Sequence, residues 1–311
     1  MSIWLVGSGY MAQEYARVLL DISLQFQVIG RGEVSAKSFE SAINTPVIQG
    51  GVNNAKLSMP IPDKAIVAVG IEELANTALT LIEAGVKRIL LEKPGGINKE
   101  EISAIHSEAV KNNATILLAY NRRFYASIKE AKKIMKQDGG VTSCSFEFTE
   151  WSHSIAPLNK GPDVKKSWFL SNSSHVVDLV FHLCGLPKQI NAINAGSLDW
   201  HPSSSRFCGS GLTSKDILFS YHADWSSAGR WGIELMTQNR KIVLRPLEEL
   251  NVINIGSLTE EKIEIDNLID TNFKPGLYNM VKLFLEKNDS LFCTIEDQLS
   301  HMDLYNKIAG Y

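Results

Sequence analysis

Apolar residues fall along the first 120 positions as short solid runs that alternate with amphipathic stretches. Segments 2–6, 26–30, 65–69, 88–92 and 115–119 are apolar without alternation, the pattern of strands buried on both faces. Between them, 9–21, 72–85 and 98–113 repeat apolar residues at helical spacing. The region 33–63 is less regular, with a helix predicted over 35–43 and a short strand near 46–48. Such a βαβ series predicts a parallel sheet with helices on both faces. After Asn121 the pattern changes. A helix over about 125–137 stops at Gly139-Gly140, and β-rich segments follow at 141–151, 188–198, 215–225, 230–237, 240–245 and 250–255. One helix interrupts them, with Val176, Leu179, Val180 and Leu183 on its apolar face and Gly185 and Pro187 at its end. Helices near 275–287 and 295–309 close the chain. The expectation is a doubly wound α/β domain over 1–120, then an α+β domain over 121–311 built on a mostly antiparallel open sheet.

Composition narrows the classes. The chain has 311 residues, enough for two domains of ordinary size, and its 31 basic and 34 acidic residues leave a net charge of −3. That balance argues against nucleic acid or an anionic membrane as partner. No apolar run approaches the length of a membrane span. The first strand starts so early that no secretory leader is expected. Cys144, Cys184, Cys208 and Cys293 show no metal-type spacing, so a reduced, cytoplasmic, metal-free protein is expected.

Three segments carry chemistry. The first strand runs into Gly7-Ser8-Gly9-Tyr10-Met11-Ala12, which fits the G-x-G-x-x-G/A dinucleotide fingerprint in its strand–turn–helix context. Gly7 permits the tight turn, Gly9 a close approach of pyrophosphate to the backbone, and Ala12 close packing of helix on strand. The helix amino terminus then offers N–H groups to phosphate. This makes the first domain a Rossmann fold. Second, Ile89-Leu90-Leu91 empties into Glu92-Lys93-Pro94, at the carboxyl end of a strand where α/β sheets bind ligands. Third, Ser174-His175-Val176-Val177-Asp178-Leu179 opens the helix inside the second domain. Taken alone, Lys93 reads more readily as a surface amine, and His175 as a structural or capping residue.

Together with Tyr120-Asn121-Arg122-Arg123-Phe124 and Phe273-Lys274-Pro275-Gly276, these motifs resemble the glucose-fructose oxidoreductase / inositol 2-dehydrogenase / MocA family (Gfo/Idh/MocA) over nearly the whole chain. The resemblance implies an NAD(P)-dependent dehydrogenase acting on a sugar, cyclitol or nucleotide-linked sugar, as in polysaccharide pathways. It implies His175 as acid/base and Lys93 as its electrostatic partner. Pro94 would lie against the nicotinamide, and Asp178 would bind a sugar hydroxyl or act as a helix-start carboxylate. Glu92 would orient Lys93 through an ion pair. The resemblance also implies a homodimer or homotetramer associating through the second sheet.

Two departures stand out. Many members carry an aspartate four residues before the histidine, where this chain has Ser171, and a hydroxyl cannot support an imidazolium as a carboxylate does. The run 171–174 also reads as a helix cap, with Ser173 or Ser174 capping. Where members often have T-P-x and a later His, this chain has Gly70-Ile71-Glu72 and Asn76.

Cofactor choice is read at the end of the second strand. A carboxylate there marks NAD, whereas Arg31 suits the 2′-phosphate of NADP, with Ser35 as an added donor. NADP is expected and NAD remains possible; an Arg simply exposed in a turn is the alternative. For substrate, Lys165 and Trp168 lead into the His175 helix, and Arg122 follows the sixth strand while Arg123 is expected to be a surface charge. Trp151, Trp225, Arg230, Trp231 and Tyr278 offer further aromatic faces and basic groups for a sugar and an anionic handle. Two other functions stay open: redox-assisted elimination or epimerisation with retained cofactor, and a non-catalytic NAD(P)-binding regulator.

Overall fold

In the computed structural model, residues 3–311 are described, so Ser2, the expected start of the first strand, lies outside the described residues. The first elements alternate: β1 (Ile3–Val6), α1 (Tyr10–Asp21), β2 (Phe26–Ile29), α2 (Glu33–Ile43), β3 (Val47–Ile48), α3 (Gly51–Ser58), β4 (Lys64–Val67), α4 (Ile71–Glu83), β5 (Arg88–Leu91), α5 (Lys99–Asn112) and β6 (Thr115–Leu118). A 3-10 turn (Asn121–Phe124) leads to α6 (Ala126–Gln137), β7 (Ser143–Glu147), α7 (Ser152–Ile155) and α8 (Pro162–Lys166). A π-helical turn (Phe169–Ser173) runs into α9 (Ser174–Cys184). Then follow β8 (Pro187–Ala195), β9 (Arg206–Thr213), β10 (Leu218–Asp224), β11 (Gly232–Met236), β12 (Arg240–Leu244), β13 (Asn251–Asn254) and β14 (Glu261–Lys262). The chain ends with α10 (Leu268–Asn272), α11 (Leu277–Glu286), β15 (Cys293–Thr294) and α12 (Ile295–Ala309).

The chain divides into two compact units, one comprising the residues through Asn121 with Asn272–Met302, the other Arg122–Thr271 with Asp303–Tyr311. The first unit holds a seven-stranded sheet ordered β15-β6-β5-β4-β1-β2-β3. Strands β1 to β6 are parallel, the doubly wound order in which ligands sit beyond the carboxyl ends. Leu5, Ile66, Val67, Ile89, Leu90 and Leu117 are fully buried, which is why these strands read as unbroken apolar runs.

A single cut near residue 120 does not describe this unit, because residues 272–302 return to it. Strand β15 adds antiparallel to β6, pairing Cys293 with Leu118. The buried Arg88 donates to the carbonyl of Phe284 at 3.1 Å and to Asp289 Oδ2 at 3.0 Å, tying the returning segment to the base of β5.

The second unit holds an eight-stranded sheet ordered β14-β13-β12-β11-β7-β10-β9-β8, antiparallel except for the β7–β10 pair. Helix α9 covers one face: Phe181 meets Phe146 at 5.9 Å and Phe219 at 5.3 Å, both edge to face. That burial explains why α9 is apolar almost all round, and why His175 and Asp178 on it are 4% and 2% exposed.

Candidate functional site

Within the first unit, β1 ends in the glycine-rich turn. Gly7 has φ +126°, and a Cβ there would lie 2.3 Å from the Ala68 carbonyl oxygen, so no other residue fits. Gly9 is the N-cap of α1, and a Cβ on it would meet nothing within 4 Å. Open space therefore stands in front of a helix start whose first turn has no acidic residue to offset its positive end. Ala12 is fully buried, letting α1 lie against the sheet. This combination fits a pyrophosphate held by backbone N–H groups. Tyr10 is exposed, with the Lys274 ammonium 5.5 Å from its ring centre. Ser8 is buried and its hydroxyl donates to Ser35 Oγ at 2.9 Å, while Ser35 donates to the Gly32 carbonyl at 3.1 Å.

Arg31 lies just past β2, with its side chain 74% exposed. It is ion-paired at 2.6 Å to Glu73 in the first turn of α4, a carboxylate whose place the sequence did not suggest.

At the end of β5, Glu92 accepts a 2.8 Å hydrogen bond from the buried Tyr15 hydroxyl on α1. Burial pushes the Glu92 carboxyl up from its ordinary range, against the Lys93 ammonium, the Tyr15 bond and Lys274, which pull it down. Burial first, and then the Glu92 charge and this contact, push the Tyr15 phenol well above its ordinary value. Glu92 is thus anchored to the glycine-turn helix as well as facing the Lys93 charge. Pro94 is buried, and the Lys93–Pro94 peptide is cis. Beyond the loop, Asn98 caps α5, accepting from the Glu101 N–H at 2.9 Å, and Glu101 accepts from the Ile97 N–H at 2.9 Å. Asn121 donates to the Pro275 carbonyl at 2.9 Å, holding the Lys274 segment in this unit.

Within the second unit, the imidazole of His175 is 4% exposed and its centre lies 6.2 Å from the ring of Trp231. Arg122 places its guanidinium 4.8 Å from the same indole. Two expectations need correction here. Arg123 is not a surface charge: it is buried and grips Asp178 with two bonds of 2.8 and 2.6 Å. A carboxylate inside α9 would carry a heavy desolvation cost without such a bidentate partner. Asp178 therefore has each oxygen engaged by the Arg123 guanidinium. The run 171–174 does not cap α9 either, because the preceding π turn already makes it helical and satisfies its N–H groups. Ser174 donates back to the Leu170 carbonyl at 2.7 Å and Ser171 to that of Ser167 at 3.0 Å. Ser173 instead donates at 2.8 Å to Glu150, which is 1% exposed and also accepts from Asn172 at 2.9 Å.

Lys165 gives its ammonium to the Ala156 carbonyl at 2.7 Å. Trp168 stands edge-on to Trp200 at 6.0 Å, and Trp200 stacks on Trp225 at 5.7 Å. A cavity of about 380 Å³ beside them is lined by Ser152, Ala156, Leu198, Asp199 and Trp200. Glu150, Glu73 and Tyr15 were invisible in sequence because each takes its role from a partner far away in the chain.

Residues 1–120 match the model of the Gfo/Idh/MocA oxidoreductase family, described as an NAD-binding Rossmann fold. The sequence finds no match among curated proteins. Among solved structures, a UDP-N-acetylglucosamine 3-dehydrogenase from Acidithiobacillus ferrooxidans superposes with TM-score 0.77 at 14% identity, covering 99% of this chain and 96% of that one. An oxidoreductase from Agrobacterium radiobacter, in complex with NAD+, L-tartaric acid and magnesium, gives 0.80 at 12% identity over 98% and 94%. A levoglucosan dehydrogenase in complex with NADH and levoglucosan gives 0.77 at 16% identity over 99% and 96%. At these identities the likeness shows a shared fold over nearly the whole chain, and the family match is confined to residues 1–120.

Proposed function

We propose that this chain is an NAD(P)-dependent oxidoreductase that moves a hydride between the nicotinamide and a secondary alcohol or ketone of a sugar-type substrate. The observation that carries the reading is the first unit's pairing of an open glycine turn at Gly9 with Glu92-Lys93-Pro94 at the end of β5, locked together by Tyr15. The nicotinamide, when bound, accepts or supplies the hydride. Gly7, Ser8, Gly9, Tyr10 and Met11 form the turn that takes the pyrophosphate, with Glu92 and Pro94 shaping the loop beside it. The Lys93 ammonium stabilises negative charge developing on the substrate oxygen. His175, shielded from bulk water, takes the hydroxyl proton or returns it. Ser171, one turn earlier, leaves His175 without the carboxylate that many relatives place there. Arg122, lying over Trp231 beside His175, is the best placed of the anticipated substrate contacts, while Lys165 is held by the Ala156 carbonyl and Trp168 by the Trp200 ring. Arg31 supports NADP, while its pairing with Glu73 leaves NAD usable.

Sugar dehydrogenases among the fold's neighbours support the substrate class. We place the protein in the cytoplasm on the strength of its four free cysteines. Self-association through the open face of the second sheet is supported by Ile193 and Leu218, 60% and 62% exposed there. The test is a panel of sugars, sugar acids, nucleotide sugars and cyclitols mixed with NAD+ or NADP+, read by nicotinamide absorbance. Reduction on at least one substrate is expected. Cofactor that binds but is never reduced favours the regulator, and cofactor that copurifies and turns over without net reduction favours elimination or epimerisation.

A further inference from the structure

The loop between β10 and β11 contains an arginine that the proposed chemistry leaves unused. Arg230 sits with its guanidinium carbon 4.7 Å from the ring of Trp231 and 5.0 Å from that of Trp151. Trp151 is itself fixed, since its indole N–H donates to the Gly229 carbonyl at 2.8 Å. Gly229 has φ +145°, a backbone conformation that favours glycine, so the turn carrying this carbonyl suits the residue found there. Two indoles therefore orient one planar fork, and stacking of this kind prepays the ordering of a long side chain.

Arg230 makes one hydrogen bond among the described residues, to Glu150 Oε2 at 3.3 Å, longer than the usual charge-assisted contact. Its side chain is 46% exposed, leaving most of its five donors open. Glu150 is held by Ser173 and Asn172 at the start of the His175 helix. Trp231, 6% exposed, touches both ends: its ring is 4.7 Å from Arg230 and 6.2 Å from His175. Arg122 lies over the same ring, so two guanidiniums flank the indole that stands beside the imidazole.

We infer that Arg230, clamped between Trp151 and Trp231, is an anion-reading subsite, and that the sugar carries a carboxylate or phosphate handle within reach of His175. This rests on the oxidoreductase reading and names its substrate class. The handle accepts paired N–H bonds from the guanidinium edge, and the indoles cover the apolar face of the sugar.

Calorimetric titration of the NADH-saturated protein tests it, with D-glucuronate, glucose 1-phosphate and UDP-N-acetylglucosamine set against glucose and N-acetylglucosamine. At least one anionic sugar should bind about tenfold more tightly than its neutral counterpart, and the advantage should shrink with added salt. The carboxylate and phosphate arms separate the two kinds of handle. Arg230→Ala should erase the advantage while NADH affinity holds, and Arg230→Lys should restore only part of it. Because removing Arg230 strands the buried Glu150, the Glu150→Gln/Arg230→Gln pair is measured alongside and should lose the advantage too. No anionic preference, including no binding by any sugar, overturns the inference, as does a preference that survives loss of Arg230. Reduction of neutral sugars that needs Lys93 and His175 but shows no anionic preference overturns this subsite alone; failure to bind NADH overturns the oxidoreductase reading.

Discussion

Glu73 should limit how strongly this protein prefers NADP. Arg31 stands just past the second strand, and Glu73 already occupies it at 2.6 Å. A 2′-phosphate arriving there meets a guanidinium whose charge is shared. At about 4 Å in solvent, each unit-charge pair is worth about 1 kcal/mol. A phosphate monoester carries roughly 1.5 to 2 negative charges, so Arg31 contributes about 1.5–2 kcal/mol toward NADP. That corresponds to roughly ten- to thirtyfold. The pair is exposed, 74% for Arg31 and 38% for Glu73, so breaking it costs about 0.2–1 kcal/mol. Glu73→Gln should then tighten NADPH by about 1.5- to 5-fold and leave NADH nearly unchanged. Arg31→Ala should remove most of the preference, again sparing NADH. Dissociation constants for both reduced cofactors, from nicotinamide fluorescence at low and high salt, provide the assay. The NADPH effects should fade with salt. Tighter binding of NADH than NADPH by wild type, or an NADPH constant indifferent to Glu73→Gln, would refute the reasoning.

Three further outcomes are expected. Arg123→Ala leaves Asp178 charged and buried, so urea unfolding should show a loss of about 3–5 kcal/mol, with much of it recovered in an Arg123→Met/Asp178→Leu pair; a loss within experimental scatter would mean that α9 does not depend on this pair. His182 is held down to about 3, first by burial and then by the charges of Arg123, Lys132 and Lys215. The unfolded chain therefore takes up that proton first, and stability should fall as pH drops from about 6.5 towards 3. His182→Gln should flatten this acid limb in denaturation midpoints measured against pH, and an unchanged slope would contradict the assignment. Ser171→Asp should place a carboxylate one turn from His175, raise its basicity and move the pH–rate profile to higher pH; a superimposable profile would mean that position 171 does not face the imidazole.

The first sheet was legible because strands buried on both faces must be apolar throughout, and five tetrapeptides such as Arg88–Leu91 announce themselves. Strand β9 escaped because Gly209 and Gly211 replace the expected alternation. They face Tyr221 and Phe219 on β10, whose rings fill the space that any side chain would need. The return of 272–302 was hidden because β15 is two residues long and its partner β6 lies far back in the chain. Arg123 looked like a surface charge since its carboxylate is 55 residues away. The same distance effect concealed Glu150. His175, Lys93 and the glycine turn were readable because their motifs are local. The long-range hydrogen bonds around them, from Tyr15 to Glu92, Ser173 to Glu150 and Asn121 to the Pro275 carbonyl, are not.

Steady-state reduction of NAD(P)+ by the best substrate, in wild type, Lys93→Ala and His175→Ala, tests the central claim most directly. Each variant should lose turnover by on the order of a hundredfold or more while keeping its fold and its cofactor affinity. Turnover unchanged in both variants would contradict the account.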